Sequence, residues 1–158
     1  VELTSVFNFV FSVIPRSFVA VYFCLSFIKL RPKVGQFVSS SLLFAFVIWI
    51  SRAVFSFGFH SLVPMMFLAY ILHHISYERL NSTFSIAVIY FTLLYIIDFF
   101  VLYIYNSITN LSIEQIWSLE FIRVILTIPA SLFFLCVGFL IRWQLRRNLK
   151  DLATVARY

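Results

Sequence analysis

The sequence predicts an all-α, polytopic integral membrane bundle of about five transmembrane helices. Three observations carry this. Of 158 residues, 63% are hydrophobic and only 11% are charged. A soluble fold of this length cannot hide so much apolar surface, because small folds still expose much of their area. The apolar residues also come in runs long enough to cross a bilayer, which takes roughly 20 residues per helix. The alternation over ~10-residue segments that marks a membrane barrel is absent.

Five apolar runs follow one another at about 5–30, 34–57, 60–77, 82–105 and 119–143. They assign residues 1–143 to a helical bundle and 144–158 to a basic juxtamembrane tail. The first run is interrupted by Pro15 and Arg16, and its opening VFNFVFSV reads as interfacial. It is too long for a secretory signal and lacks both a basic start and a small-residue cleavage site. The third run carries Pro64 in its first turns, where proline is tolerated. Asn81 or Ser82 is a candidate cap for the fourth. The links RPK, SFGFH and ERLNS are short, which favours antiparallel neighbours, and Gly58 suits the second of these turns. In the longest link, Asn106 to Glu120, SIEQ (Ser112 to Gln115) has the form of a capping box. It predicts a short helix on the membrane surface, with Trp117 at headgroup depth. With only three glycines in the chain, close glycine-mediated packing is not expected to organise the bundle. The 21 phenylalanines read as lipid-facing and interhelical filler.

The net charge of +6 does not imply nucleic acid, because the basic residues flank apolar runs, where they set orientation. Lys29, Arg31, Lys33, Arg79, Arg142, Arg146, Arg147, Lys150 and Arg157 all fall on one side of a five-crossing chain. The positive-inside rule makes that side cytoplasmic in a cell membrane, with the N-terminus outside and the C-terminus inside. Arg16, Arg52 and Arg123 fall near the opposite, outer ends of their helices.

One acid stands out. Asp98, in YIIDFFVLY, lies about seven residues from the outer end of its run, or roughly 10 Å at the helical rise. A charge at such depth costs a few kcal/mol, and aspartate is too short to snorkel. Arg52 or Arg123 is expected to supply a bidentate partner, and Arg16, Glu120, Tyr95 and His60 are candidates for the same polar cluster. Three readings stay open: an ion pair that locks the helices, a polar pocket that binds a ligand or senses ions, and a lone protonated Asp98.

His73 and His74 are adjacent, so their side chains point about 100° apart and suit separate interfacial contacts better than one metal. Cys24 and Cys136 belong to no CxxC or metal-spaced set and read as buried small hydrophobes. No phosphate-cradling glycine loop, HExxH pair or catalytic dyad is present, so no cofactor, metal or catalysis is assigned. The serines Ser39 to Ser41 have no nearby base and read as helix-packing residues.

The order of several short motifs resembles the N-terminal membrane sensor region of Gram-positive histidine kinases of the peptide-pheromone-receptor type. SVIPRS (Ser12 to Ser17) and KLRPK (Lys29 to Lys33) match the opening and the end of that family's first helix. ISRAVFSFGFHSL (Ile50 to Leu62) matches its arginine followed by a Phe-Gly-x-His turn. Asp98 takes the place of an acid, usually glutamate, in the fourth helix. LSIEQIW and the arginine of EFIRVIL (Glu120 to Leu126) also fit. The resemblance implies a sensor module of a two-component system. The phosphoacceptor helix and ATP-binding domain of full receptors lie outside these residues, so the chain is expected to be a fragment or a stand-alone relative, without phosphorylation activity of its own.

The function expected is therefore a membrane-embedded sensor that meets a signal at Arg16, Arg52, His60, Asp98, Glu120 and Arg123. The response passes to a cytoplasmic partner through the last helix and the basic residues Arg142, Arg146, Arg147 and Lys150. Leu145, Leu149, Leu152 and Val155 recur at helical spacing in the tail, which suits either a homodimeric coiled coil or an amphipathic segment on anionic lipid. The alternative class is an accessory subunit of a larger membrane complex. A small transporter fits less well, because no polar path crosses the bilayer.

Overall fold

A computed structural model of the chain describes residues 6–55, 59–110, 112, 115–116 and 119–155. Among these, all regular structure is helical. The helices are α1 (Val6–Phe27), α2 (Val34–Val54), α3 (Phe59–Ser76), α4 (Leu80–Thr109) and α5 (Glu120–Val155). Helices α1, α2, α4 and the part of α5 from Glu120 to Asn148 are long and apolar enough to span a bilayer. Helix α3 packs along both α2 and α4. Its 18 residues reach about 27 Å, close to the hydrocarbon thickness.

Helix α1 is the hub. It packs against α5, α2, α3 and α4, and 56% of its apolar window is buried against at most 22% in the other three long spans. The reason is its inner face, where Ser17, Ala20, Val21, Cys24 and Ser26 are small or medium and fully buried. The serines tolerate this because each donates to the carbonyl four residues back: Ser17 to Val13 at 2.8 Å and Ser26 to Tyr22 at 2.7 Å. Ser41, Ser51 and Ser76 do the same in α2 and α3. Such internal bonding suits an interior without water. Of the serines at 39–41, only Ser41 is buried.

Around this hub an aromatic node joins three helices. Phe23 of α1, Tyr90 of α4 and Phe134 of α5 are fully buried, with ring centroids 4.8 to 5.8 Å apart. Many other aromatic residues, Phe7, Phe11, Phe99, Phe100, Phe121 and Phe139 among them, face outward, as expected of a surface meeting lipid. Cys24 is buried, but Cys136 is exposed on α5, contrary to the expectation of two buried thiols.

Helix ends explain how few glycines suffice. Lys29 (φ 61°), Tyr77 (φ 56°) and Asn110 (φ 54°) take the left-handed conformation that glycine usually supplies. After α1, the Leu30 N–H reaches the Leu25 carbonyl and the Lys29 N–H reaches that of Ser26, both at 3.3 Å. This pair is a Schellman closure. After α3 and α4, a single N–H bonds four residues back, Tyr77 to His73 and Asn110 to Asn106. Helix α4 starts at Leu80 with Arg79 at its cap and no side-chain cap bond, so Asn81 and Ser82 sit inside the first turn. Pro64 falls within α3. Ser112 and Gln115 form the expected reciprocal capping pair, at 2.8 and 3.2 Å, and Ile116 beside them is buried in the bundle. Gly58, Trp117 and Arg157 lie outside the described residues, as do the side-chain environments of Leu149, Lys150, Leu152 and Val155.

Glycine does organise one contact, against expectation. A β-carbon on Gly138 of α5 would meet the Tyr22 ring at 2.9 Å. The absent side chain lets α5 approach α1 closely, as small residues do between membrane helices.

Candidate functional site

The Arg16–Asp98 pair is built by two helices whose local irregularities serve it. Pro15 has no N–H, so the turn before it cannot follow the regular ladder. The chain responds with a π turn over Phe9–Val13, closed by the Ile14 N–H on the Phe9 carbonyl. Regular α-helix resumes from Ile14, and Arg16 follows two residues later. Its Nη2 donates to both carboxylate oxygens of Asp98 on α4. The Arg16 side chain is 16% exposed and that of Asp98 34%.

The partner of Asp98 is therefore Arg16, and not Arg52 or Arg123. Depth decides it. Helix α4 runs to Thr109 rather than Tyr105, which puts Asp98 eleven residues from its end. Arg16 lies ten residues from the start of α1 at Val6. Both are thus about 15 Å from the helix ends, at 1.5 Å per residue. Arg52 is two residues from the end of α2 and Arg123 three from the start of α5, both much shallower.

The shallow arginines nevertheless complete the cluster. The Arg52 guanidinium lies within electrostatic reach of Arg16, Arg123, Asp98 and the Tyr95 hydroxyl, although its side chain is exposed at the bundle surface. Arg123 approaches Glu120, one turn before it on α5, only at 4.0 Å. The Nε atoms of Arg16 and Arg123 are buried and have no hydrogen-bond partner among the described residues. His60, second residue of α3, stands half-buried at the same end of the bundle. The structure thus brings together Arg16, Arg52, Asp98, Arg123 and Glu120.

At the other end, Arg142 turns back into the bundle. Its Nε donates to Ser26 Oγ at 2.9 Å and its Nη2 to the Leu30 carbonyl at 3.4 Å. Its guanidinium lies 4.5 Å from the Tyr22 ring centroid, a cation–π contact. Arg142 therefore belongs to the α1–α5 junction, one turn beyond Gly138, rather than to a free tail. Arg146 and Arg147 are exposed, and Arg147 lies over Trp143. Sequence reading gave Gly138, Tyr22 and Ser26 no role. The available signal was the matched spacing, with Gly138 and Arg142 four apart on one helix and Tyr22 and Ser26 four apart on another.

The adjacent histidines diverge as their helical spacing requires. His73 Nδ1 donates to the Glu78 carbonyl at 2.5 Å, while the His74 ring stacks on Tyr70 at 6.3 Å. Among the described residues, no group of three or more His, Cys, Asp or Glu side chains is placed to hold a metal ion.

Comparison with protein families, curated proteins and solved structures finds no match for this chain.

Proposed function

We propose that this chain is a membrane-embedded sensor module, with its signal met at the Arg16–Asp98 cluster and its response delivered through α5. One observation carries the reading. The hub helix α1 is tied to α4 by an ion pair near its midpoint and to α5 by Gly138 and Arg142 near its C-terminal end. A signal that changes the charge balance around Asp98 shifts α1, and a rigid helix passes that shift to the helix packed against its far end.

The orientation in this reading follows the basic residues. Lys29, Arg31, Lys33, Arg79, Arg142, Arg146 and Arg147 mark the cytoplasmic side of a cell membrane, and the Asp98 cluster faces outward. The C-terminal part of α5 leads to a cytoplasmic signalling domain or partner, as in the histidine-kinase receptors that the motifs resemble.

The test labels Asn148→Cys in a Cys136→Ser background with a spin label, in membrane vesicles. Asp98→Asn or Arg16→Gln should alter the label's line shape while the helical circular dichroism stays unchanged. Line shapes identical to the parent in both variants would overturn the reading.

A further inference from the structure

The positive charge of the chain is concentrated in a few segments. Positions 29–33, 78–79 and 142–158 hold nine basic residues against two acids, Glu78 and Asp151. All other positions together hold three basic residues and four acids, Glu2, Asp98, Glu114 and Glu120. The whole surplus therefore sits in segments that lead into or out of the end of the bundle opposite Asp98. Lys29, Arg31, Lys33, Arg79, Arg146 and Arg147 are exposed there. Arg142 fixes the exit of α5 beside the α1–α2 link, through the Leu30 carbonyl at 3.4 Å.

One face of α5 at this exit is shaped as well as charged. Leu140, Trp143, Gln144, Arg147 and Asn148 line an open groove of about 460 Å³, within the roughly 300–1,000 Å³ of small-molecule sites. At 3.6 residues per turn, Leu140, Trp143, Gln144 and Arg147 project roughly 100–200° around α5 from Arg142, the side chain that grips α1. The groove therefore faces away from the bundle, towards lipid. Its depth follows from helix length. Twenty residues separate Arg123 from Trp143, a rise of about 30 Å, which matches the hydrocarbon thickness. Along the groove the side chains change from apolar to aromatic to cationic. Leu140 is 56% exposed and Trp143 54%, and the Arg147 guanidinium lies 5.9 Å from the Trp143 ring centroid.

We propose that this face of α5 seats one anionic phospholipid, with its phosphate on Arg147 and its upper acyl chain along Trp143 and Leu140. The order of the side chains is the order of a phospholipid's own parts, charge outermost and hydrocarbon within. Trp143 stands where indole rings mark the membrane interface, and Arg147, one turn further out, reaches the phosphate layer. Gln144 and Asn148 offer amide donors to the ester and phosphate oxygens. The charge of the lipid is chosen by the basic surplus at this end, which draws anionic headgroups and gives a zwitterionic one no net attraction. The assignment needs no motion in α1 or α5 and is independent of the sensor reading.

The experiment reads Trp143 fluorescence in the whole chain carrying Trp49→Phe and Trp117→Phe, in phosphatidylcholine nanodiscs. Brominated phosphatidylglycerol, titrated into the disc, should quench Trp143 at lower mole fraction than brominated phosphatidylcholine. Arg147→Gln should cut that preference about fivefold, the factor that corresponds to one basic residue at an anionic surface. Arg79→Gln, which removes an exposed cation elsewhere at the same end, should leave it unchanged. Equal quenching by the two lipids overturns the proposal. A preference that Arg147→Gln and Arg79→Gln reduce alike also overturns it, because it reports a diffuse surface potential and no seat. Relief of the quenching by inorganic phosphate, against chloride at equal ionic strength, would assign the groove to a soluble anion instead of a lipid. If the Trp49→Phe/Trp117→Phe chain does not fold, native mass spectrometry of the unsubstituted chain and its Arg147→Gln variant, released from mixed-lipid discs, reads the same lipid ratio.

Discussion

Asp98 and Glu120 are both acids beside arginines, and they are not equivalent. Asp98 shares both oxygens with an arginine that is mostly buried, whereas Glu120 sits in the first turn of α5, exposed, with its carboxylate 4.0 Å from Arg123. Exposed ion pairs contribute about 0–1 kcal/mol. Glu120 also faces the positive end of the α5 dipole, worth about 0.3–1 kcal/mol near the surface. Glu120→Gln should therefore change unfolding free energy in detergent by no more than about 1 kcal/mol. A loss several times larger in an equilibrium unfolding titration would mean that Glu120 is a structural partner of the cluster. The acid in YIIDFFVLY was visible in the sequence as a residue needing an answer. Its partner was not, because the choice between arginines turned on where α4 ends and on the π turn that sets Arg16, and neither feature has a hydropathy signal.

Helices were the legible elements. Apolar runs bounded by Arg31–Lys33 and Glu78–Arg79 marked α1 through α4 to within a few residues, since a lipid environment demands one long self-bonded element per run. The contact of α1 with α5 was not read, because the shared four-residue spacing of Gly138 and Arg142 with Tyr22 and Ser26 acquires meaning only once the two helices are known to face each other. That contact makes its own prediction. Gly138→Leu must displace Tyr22, whose ring a β-carbon alone would meet at 2.9 Å. Overpacking of this kind costs about 1–3 kcal/mol. The loss should shrink when Tyr22→Ala is added, and thermal unfolding of both single variants and the double reads this directly. Strict additivity would show that α5 does not close on α1 through this pair. The left-handed ends at Lys29, Tyr77 and Asn110 were hidden for a different reason, since none of these residues is glycine.

Among the described residues, α2, α3, α4 and α5 follow one another around α1, which carries one polar contact near its midpoint, at Arg16, and another near its C-terminal end, at Ser26. The first and last helices run parallel, with Tyr22 facing Gly138 and Ser26 facing Arg142 at one constant offset. The Arg16–Asp98 pair fixes α1 to α4 across the same bundle. Removing one member of a fully buried pair costs about 3–5 kcal/mol, while replacing both by apolar residues is often neutral. The most direct measurement is a double-mutant cycle with Arg16→Met and Asp98→Leu, read by equilibrium unfolding in lipid-like detergent. Each single variant should lose stability, the double should recover most of it, and the coupling should exceed about 1 kcal/mol. Single losses that simply add, with coupling below about 0.5 kcal/mol, would contradict an ion pair between α1 and α4.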